Sequence, residues 1–107
     1  DVDSVCINIY KAELPKILPP GLVIDMSVVR CFYTHFIGHH IGLSVHDPES
    51  DRLVPGSVFT IEPGLYFNPH VIKIDIDTRL YRLGGIRIED MYYISSDMKL
   101  VCLSSRI

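Results

Sequence analysis

The stretch His35-Phe36-Ile37-Gly38-His39-His40-Ile41-Gly42-Leu43-Ser44-Val45-His46 is the part of this 107-residue sequence from which its fold and chemistry are best interpreted. It holds four histidines and two glycines in twelve residues. Histidine is the commonest metal ligand and a frequent general acid or base, because its ordinary pKa lies near neutrality. From Ile41 onward, apolar residues alternate with small or polar ones, and this period of two predicts a half-buried strand. The segment therefore predicts a strand that carries histidines to a chemical site.

Helical patterns precede this stretch. Apolar residues at helical spacing over residues 2–10, behind an acidic start, predict a first helix that ends near Pro15. The Pro-Pro-Gly sequence at 19–21 then breaks the chain, since proline cannot donate a backbone hydrogen bond. A second, short helix is predicted over about residues 25–31.

Strand patterns follow it. Alternation predicts a strand over residues 58–66 that Pro63-Gly64 ends, and an amphipathic strand over 72–77 with Asp75 and Asp77 on its solvated face. A further strand over residues 86–89 would project Arg87 and Glu89 from the same side, and residues 91–103 would close the chain as a hairpin. One or two helices followed by an antiparallel sheet indicate the α+β class.

Composition narrows the classes of partner. The net charge is −3 and the basic residues are scattered, so we expect no nucleic-acid partner. No apolar run approaches the roughly 18 residues that span a membrane, so we expect no membrane partner. Three widely spaced cysteines favour reduced thiols and an intracellular location, cytoplasmic or mitochondrial. A hydrophobic content of 48% in so short a chain indicates a missing partner surface, through self-association or an absent remainder of the domain.

Two carboxylates form the core of the candidate site. If the strands that carry Glu62 and Glu89 are antiparallel neighbours with these residues opposed, their Cβ atoms lie about 4.5–5.5 Å apart. Carboxylates that close repel each other unless a proton or a metal lies between them. With His39 they form an ordinary ligand set for a first-row divalent metal. The alternative is that Glu62 only solvates a strand end and that Glu89-Asp90 is only an acidic edge.

A family resemblance rests on three segments in order: residues 35–47, residues 60–66 (Thr-Ile-Glu-Pro-Gly-Leu-Tyr) and residues 85–90 (Gly-Ile-Arg-Ile-Glu-Asp). Together they resemble the proline-specific "pita-bread" metallopeptidases, aminopeptidase P (Xaa-Pro aminopeptidase) and prolidase. The resemblance covers residues 34–104. It implies that residues 1–107 are the C-terminal part of one pita-bread catalytic domain.

The resemblance also implies roles for individual residues. The implied metal ligands are His39, Glu62 and Glu89, with Glu89 bridging two ions. Catalytic roles are implied for His35 and His46, which would position substrate and stabilise developing charge, and for Glu62, which would take part in proton transfer. Arg87 would support the carboxylates. We interpret His40 and His70 as structural histidines and the tyrosines as core or rim aromatics.

The implied activity is metal-dependent hydrolysis of Xaa-Pro peptide bonds by an aminopeptidase, with two divalent ions, Mn²⁺ or alternatively Co²⁺ or Zn²⁺. The implied partner is a peptide with proline at its second position. Two further aspartate ligands of the family have no counterpart here, so the site is partial and the chain is expected to be inactive alone. The alternatives are a non-catalytic protein-binding pita-bread module or an inactive fragment, a prolidase, or a creatinase-like hydrolase.

Overall fold

The computed structural model describes residues 2–41 and 52–104. Two compact units emerge, each built from two segments of the chain. The first unit contains Asp1–His35 and Gly64–Arg87, and the second contains Phe36–Pro63 and Ile88–Ile107. Most of the strand predicted to begin at Ile41 lies outside the described residues.

The described part of the chain forms two α-helices and five strands. The helices are α1 (Val2–Glu13) and α2 (Met26–Phe32), and the strands are β1 (Val58–Ile61), β2 (Gly64–Tyr66), β3 (Gly85–Arg87), β4 (Asp90–Ile94) and β5 (Leu100–Cys102). Two 3-10 helices, Leu14–Lys16 and Thr78–Leu83, belong to the first unit. Every strand pairing is antiparallel, so the predicted α+β class is confirmed.

Both predicted helices are present in the first unit. Asp25 caps α2: its carboxylate accepts a hydrogen bond from the Val28 backbone N–H at 3.0 Å and another from the Ser27 hydroxyl at 2.6 Å. These bonds to the charged form, the Ser27 bond first, hold the pKa of Asp25 below its usual value. Behind the cap, α2 buries Val29 and Phe32 completely. A polar cap followed by apolar residues at helical spacing explains why so short a helix forms.

The predicted strand over residues 72–77 is wrong. Ile72 and Ile76 are buried and Asp75 is exposed, so the predicted alternation of burial is present. The backbone nevertheless forms no strand in this described stretch, and Asp77 instead caps the 3-10 helix that follows by accepting from the Arg79 N–H at 3.0 Å. Alternation records which side chains are buried, and a ladder also needs a neighbouring strand.

The second unit contains a three-stranded sheet in the order β1-β4-β5. β4 and β5 form the predicted terminal hairpin, with Tyr93 opposite Val101. On the other side of β1, residues 37–41 run antiparallel to it, because Ile41 N–H donates to the Val58 carbonyl and Thr60 N–H to the His39 carbonyl, each at 2.9 Å. Residues 37–41, which we call the histidine segment, are thus hydrogen-bonded to the sheet.

Two predicted strands end earlier than expected. The strand predicted over residues 58–66 is two strands, because β1 ends at Ile61 and β2 begins at Gly64. Pro63, which lacks an N–H, lies at the interruption. β3 likewise ends at Arg87, so the prediction that Arg87 and Glu89 project from one strand is wrong.

Candidate metal centre

Glu62 and Glu89 are held at the same level of the sheet in the second unit. The last pair of the β1–β4 ladder is Ile61 opposite Asp90, so the next pair outward is Glu62 and Glu89. A backbone bond of 3.1 Å from Ile88 N–H to the Pro63 carbonyl keeps the two segments together beyond the ladder. The opposed register on which the carboxylate argument depended is present.

His39 joins the carboxylates from the other side of β1. Its Nδ1 lies 3.0 Å from the His40 carbonyl, which can only accept, so in this contact Nδ1 carries the proton. In the neutral ring the lone pair is therefore on Nε2, which lies 3.4 Å from Glu62 Oε2. That separation is longer than an ordinary N–H···O hydrogen bond of about 2.7–3.2 Å. The arrangement points a nitrogen with a free lone pair in the neutral ring at a carboxylate oxygen.

The three side chains converge. His39, Glu62 and Glu89 each offer one ligand atom, and these atoms all lie within 4.8 Å of one another. The side chain of Glu62 is only 14% exposed, and its Oε2 is buried without a hydrogen-bond partner among the described residues. A buried carboxylate oxygen costs free energy unless something compensates it. A divalent cation provides that compensation, and one imidazole with two carboxylates suits Mn²⁺, Co²⁺ or Zn²⁺. The residues therefore fit a metal ion.

His35 lies in the first unit, where its imidazole ring contacts the Tyr66 side chain. Its Nε2 lies 2.6 Å from the Tyr66 hydroxyl, which also accepts a hydrogen bond of 2.9 Å from Arg87 Nε. Because Arg87 donates to the phenol oxygen, the phenol proton is available for His35 Nε2. The hydrogen-bonded series His35–Tyr66–Arg87 fixes the orientation of the imidazole ring. It links His35 and Arg87, both of which were candidate site residues in the sequence.

Tyr66 is the functional candidate that sequence reasoning missed, since its aromatic ring was interpreted as core or rim. The residue two before it is Gly64, and a Cβ there would lie 2.3 Å from the Tyr66 hydroxyl. The ring can lie back over the strand only because Gly64 has no side chain. The available signal was the Gly-Leu-Tyr sequence directly after Glu62-Pro63.

A polar network holds the backbone at His35. Arg30 donates to the His35 carbonyl at 3.0 Å and pairs with Asp3 of α1 at 2.9 Å. Tyr33, which is completely buried, donates its hydroxyl proton to the same aspartate at 3.0 Å. Burial, and then the hydrogen bond to Asp3, raises the pKa of Tyr33 well above its usual value, so this tyrosine stays a donor. The network connects α1 to His35, the residue that is predicted to position the substrate.

A cleft of about 550 Å³ opens beside this cluster in the first unit. Its walls include Cys31, Thr34, His35, Tyr66, Phe67 and Arg87. The volume lies within the range of about 300–1,000 Å³ that is typical of ligand sites. His35 and Arg87 thus line a space of suitable size for part of a peptide.

The sequence model for metallopeptidase family M24 matches residues 1–96. The chain belongs to this family. Intermediate cleaving peptidase 55 of Saccharomyces cerevisiae is 40% identical over 101 residues, which cover 91% of this M24 chain and 19% of the yeast protein. Xaa-Pro aminopeptidase 1 of Streptomyces coelicolor is 34% identical over 87 residues, covering 74% of this chain and 17% of the relative.

Solved structures agree with the family. Aminopeptidase P from Escherichia coli with the inhibitor Pro-Leu superposes with a TM-score of 0.77 and 34% identity over 95% of this chain and 24% of that chain. Proline aminopeptidase P II from Yersinia pestis gives a TM-score of 0.72 at 30% identity, with the same coverage. The predicted resemblance to pita-bread peptidases is confirmed. The M24 chain spans only about a fifth of the length of these relatives.

The M24 chain leaves some predictions open. His46 lies outside the described residues, so its catalytic role stays a prediction. Neither α-helix in the described ranges has the length and apolar character that a membrane crossing requires. The intracellular location also stays a prediction.

Proposed function

We propose that the complete protein hydrolyses Xaa-Pro peptide bonds in a metal-dependent reaction, and that this chain contributes His39, Glu62 and Glu89 to the metal centre. The observation that carries the proposal is the buried Glu62 Oε2, which has no hydrogen-bond partner among the described residues and lies 3.4 Å from His39 Nε2. Residues 1–107 would form the C-terminal part of one catalytic domain. Membership of a metallopeptidase family and similarity to Xaa-Pro aminopeptidases support it.

The chemistry divides between the bound ions and the side chains. When bound, two divalent ions, Mn²⁺ with Co²⁺ or Zn²⁺ as alternatives, would polarise the peptide carbonyl and lower the pKa of water. Glu89 would hold the ions together with His39 and Glu62. Glu62 would hold the proton removed from water and deliver it to the leaving amine, a general acid–base role that a positioned carboxylate can take.

The cluster of His35, Tyr66 and Arg87 in the first unit would bind and position the substrate. Tyr66 stands between Arg87 and His35 by bonds of 2.9 and 2.6 Å, so the imidazole ring cannot rotate freely. Because the ring is already fixed, its rotational entropy is not lost when the substrate binds. We assign His35 to substrate positioning and charge stabilisation, and Arg87 to support of the site through Tyr66. The peptide, with proline at its second position, would occupy the adjacent cleft.

Mn²⁺ titration of the purified chain by calorimetry, with hydrolysis of an Xaa-Pro peptide followed in the same samples, tests this proposal. We expect one saturable site per chain and no turnover, since the family resemblance implies two further aspartate ligands for which this sequence offers no matching residues. The Glu89→Ala chain should lose the site, because the variant lacks one of the three converging ligands. His40→Ala is the matched control: the His40 side chain is outside the ligand set, and its effect should be small.

Each contrary outcome has a distinct meaning. Two tight sites with turnover would show that this chain is complete as an enzyme and that the partial-site proposal is wrong. Mn²⁺ binding that does not saturate, or that is unchanged in Glu89→Ala, would show that these residues do not form the metal centre. An equally large loss in His40→Ala would refute the residue assignment.

Self-association is a separate prediction from an apolar stripe on α1. Val2, Val5 and Ile9 are all exposed, although they recur at helical spacing. We expect the chain to associate at micromolar concentration in sedimentation velocity, and a Val5→Lys/Ile9→Lys variant to shift toward monomer. Ser4→Lys, an exposed site on the same helix, adds charge without removing apolar surface and should change association less. A monomeric wild-type chain would contradict the prediction.

A further inference from the structure

The main chain of His39 is held by an unusual contact in the second unit. In the hydrogen-bonded pairs of a regular antiparallel ladder, two opposed residues exchange both backbone hydrogen bonds. Thr60 N–H does donate to the His39 carbonyl at 2.9 Å, as in such a pair. His39 N–H, however, donates to the Thr60 side-chain hydroxyl at 3.0 Å. The hydroxyl therefore takes the place that the Thr60 carbonyl has in a regular ladder.

Thr60 is the one polar residue among the buried residues in the described part of the chain, with 3% exposure. A buried hydroxyl is costly unless it is hydrogen-bonded, and this one accepts from the His39 N–H and contacts the His39 carbonyl at 3.5 Å. All of its hydrogen-bonding contacts in the described chain thus go to one residue. A side chain placed in this way fixes the backbone of that residue.

Gly38 makes the contact possible. A Cβ on Gly38 would lie 1.9 Å from the Thr60 carbonyl oxygen and 2.7 Å from the carbonyl carbon. Both atoms belong to the backbone of β1, which is hydrogen-bonded to β4, so they cannot move aside as a flexible side chain could. The close approach of the histidine segment to β1 therefore requires glycine immediately before His39.

The contact also links two of the converging ligands. Thr60 lies two residues before Glu62 on the same segment, and a bond of 2.6 Å from Glu62 N–H to the Ile37 carbonyl holds the far side of that link. The segment that carries His39 is thus hydrogen-bonded to the segment that carries Glu62 at two places, His39 with Thr60 and Ile37 with Glu62. The side chains of the two converging ligands lie 3.4 Å apart, from His39 Nε2 to Glu62 Oε2.

We propose that Thr60 and Gly38 are positioning residues that set His39 as a metal ligand relative to Glu62. The inference rests on the proposed metal centre. Its mechanism is geometric: the Thr60 hydroxyl orients the His39 backbone, and the absence of a side chain at Gly38 permits the approach. Neither residue coordinates the ion.

The test is Co²⁺ binding to the full 107-residue chain, followed by visible absorption, with Mn²⁺ calorimetry as a second measurement. Thr60→Val keeps the shape of the side chain and removes the acceptor, so the affinity should fall roughly 10- to 100-fold, the range measured for groups that orient metal ligands. The Co²⁺ spectrum should change with it, because the ligand geometry changes. Thr60→Ser keeps the hydroxyl and should bind within about threefold of wild type, a range below those orienting effects. Gly38→Ala should weaken binding at least as much as Thr60→Val.

Ile94→Val controls for general loosening of the same sheet. Ile94 is buried in β4 and its substitution should lower the melting temperature without changing the Co²⁺ spectrum. Circular dichroism of each metal-free variant establishes that the sheet is intact. Wild-type affinity and spectrum in Thr60→Val, or an equal loss in Ile94→Val, would overturn the inference while leaving the metal centre in place. Absence of Co²⁺ binding in the wild-type chain would overturn the proposed centre and this inference together.

Discussion

Glu62→Gln is expected to weaken Mn²⁺ binding about 100-fold or more. The substitution keeps the size of the side chain and removes one negative charge from the converging ligands. Two unit charges 4 Å apart interact by about 4 kcal/mol at an effective dielectric constant of 20, and about 2.8 kcal/mol corresponds to a factor of 100. The amide oxygen remains a weaker ligand, which offsets part of the loss. Calorimetric titration of the two chains measures the difference.

The same substitution is expected to leave the metal-free chain as stable as wild type, or more stable. In wild type, the Glu62 Oε2 is buried without a hydrogen-bond partner in the described chain, and it faces the lone-pair nitrogen of His39. A glutamine amide can donate to that nitrogen and carries no buried charge. Thermal unfolding in a chelator should therefore give an equal or higher melting temperature, whereas the rise produced by excess Mn²⁺ should disappear.

His39→Ala distinguishes this interpretation from a purely structural one. If Glu62 and His39 only stabilise the fold as an ion pair, Glu62→Gln should lower the melting temperature of the metal-free chain, and His39→Ala should do the same. If the pair is a metal site, His39→Ala should abolish the Mn²⁺-dependent rise. A drop of several degrees in metal-free Glu62→Gln, with Mn²⁺ binding preserved, would contradict the metal-site interpretation.

Local chemistry made the helices and the last hairpin predictable. α2 begins after Asp25 because its carboxylate accepts from the Val28 N–H and is itself held by the Ser27 hydroxyl, and both residues are visible in the sequence. The hairpin of β4 and β5 follows from two apolar runs around Ser95-Ser96-Asp97. In each case the deciding interactions join residues only a few positions apart.

Tertiary pairing limited the other predictions. Residues 72–77 have the burial pattern of a strand, but a ladder depends on a partner that no local pattern specifies. The interruption between β1 and β2 falls at Pro63, which the sequence did contain, yet the two parts enter different sheets. A period of two therefore predicts which side chains are buried more reliably than it predicts backbone hydrogen bonding between strands.

The convergence of His39, Glu62 and Glu89 was predictable in part, because the alternation that sets the faces of the strands also brings the two glutamates opposite each other. Glu62 and Glu89 become neighbours through the register of β1 and β4, which hydrophobic residues set on both strands. The supporting residues were not predictable in this way. The hydroxyl groups of Tyr66 and Thr60 contact His35 and His39, which lie 31 and 21 positions away along the chain, and only the three-dimensional structure reveals such contacts.

Phe32→Ala is expected to lower the free energy of unfolding by about 3–5 kcal/mol. Phe32 is 0% exposed in the first unit and makes an edge contact with Phe67, their ring centroids 6.2 Å apart. A domain of this size has roughly 5–15 kcal/mol of net stability, so the loss would be a large fraction of the total. Urea denaturation of the metal-free chain, followed by circular dichroism, should show a midpoint lowered by about 2 M at a typical slope for small proteins.

Phe36→Ala provides the matched control, because it removes the same side chain from a position that is 79% exposed. Its effect should stay within about 0.5 kcal/mol, the range of ordinary surface substitutions. Equal effects of the two substitutions would mean that Phe32 is not buried in solution as it is here. A large effect of Phe32→Ala alone would instead show that α2 depends on its apolar face. The backbone that leads to Tyr33 and His35 then depends on a helix that short-range propensity alone cannot hold.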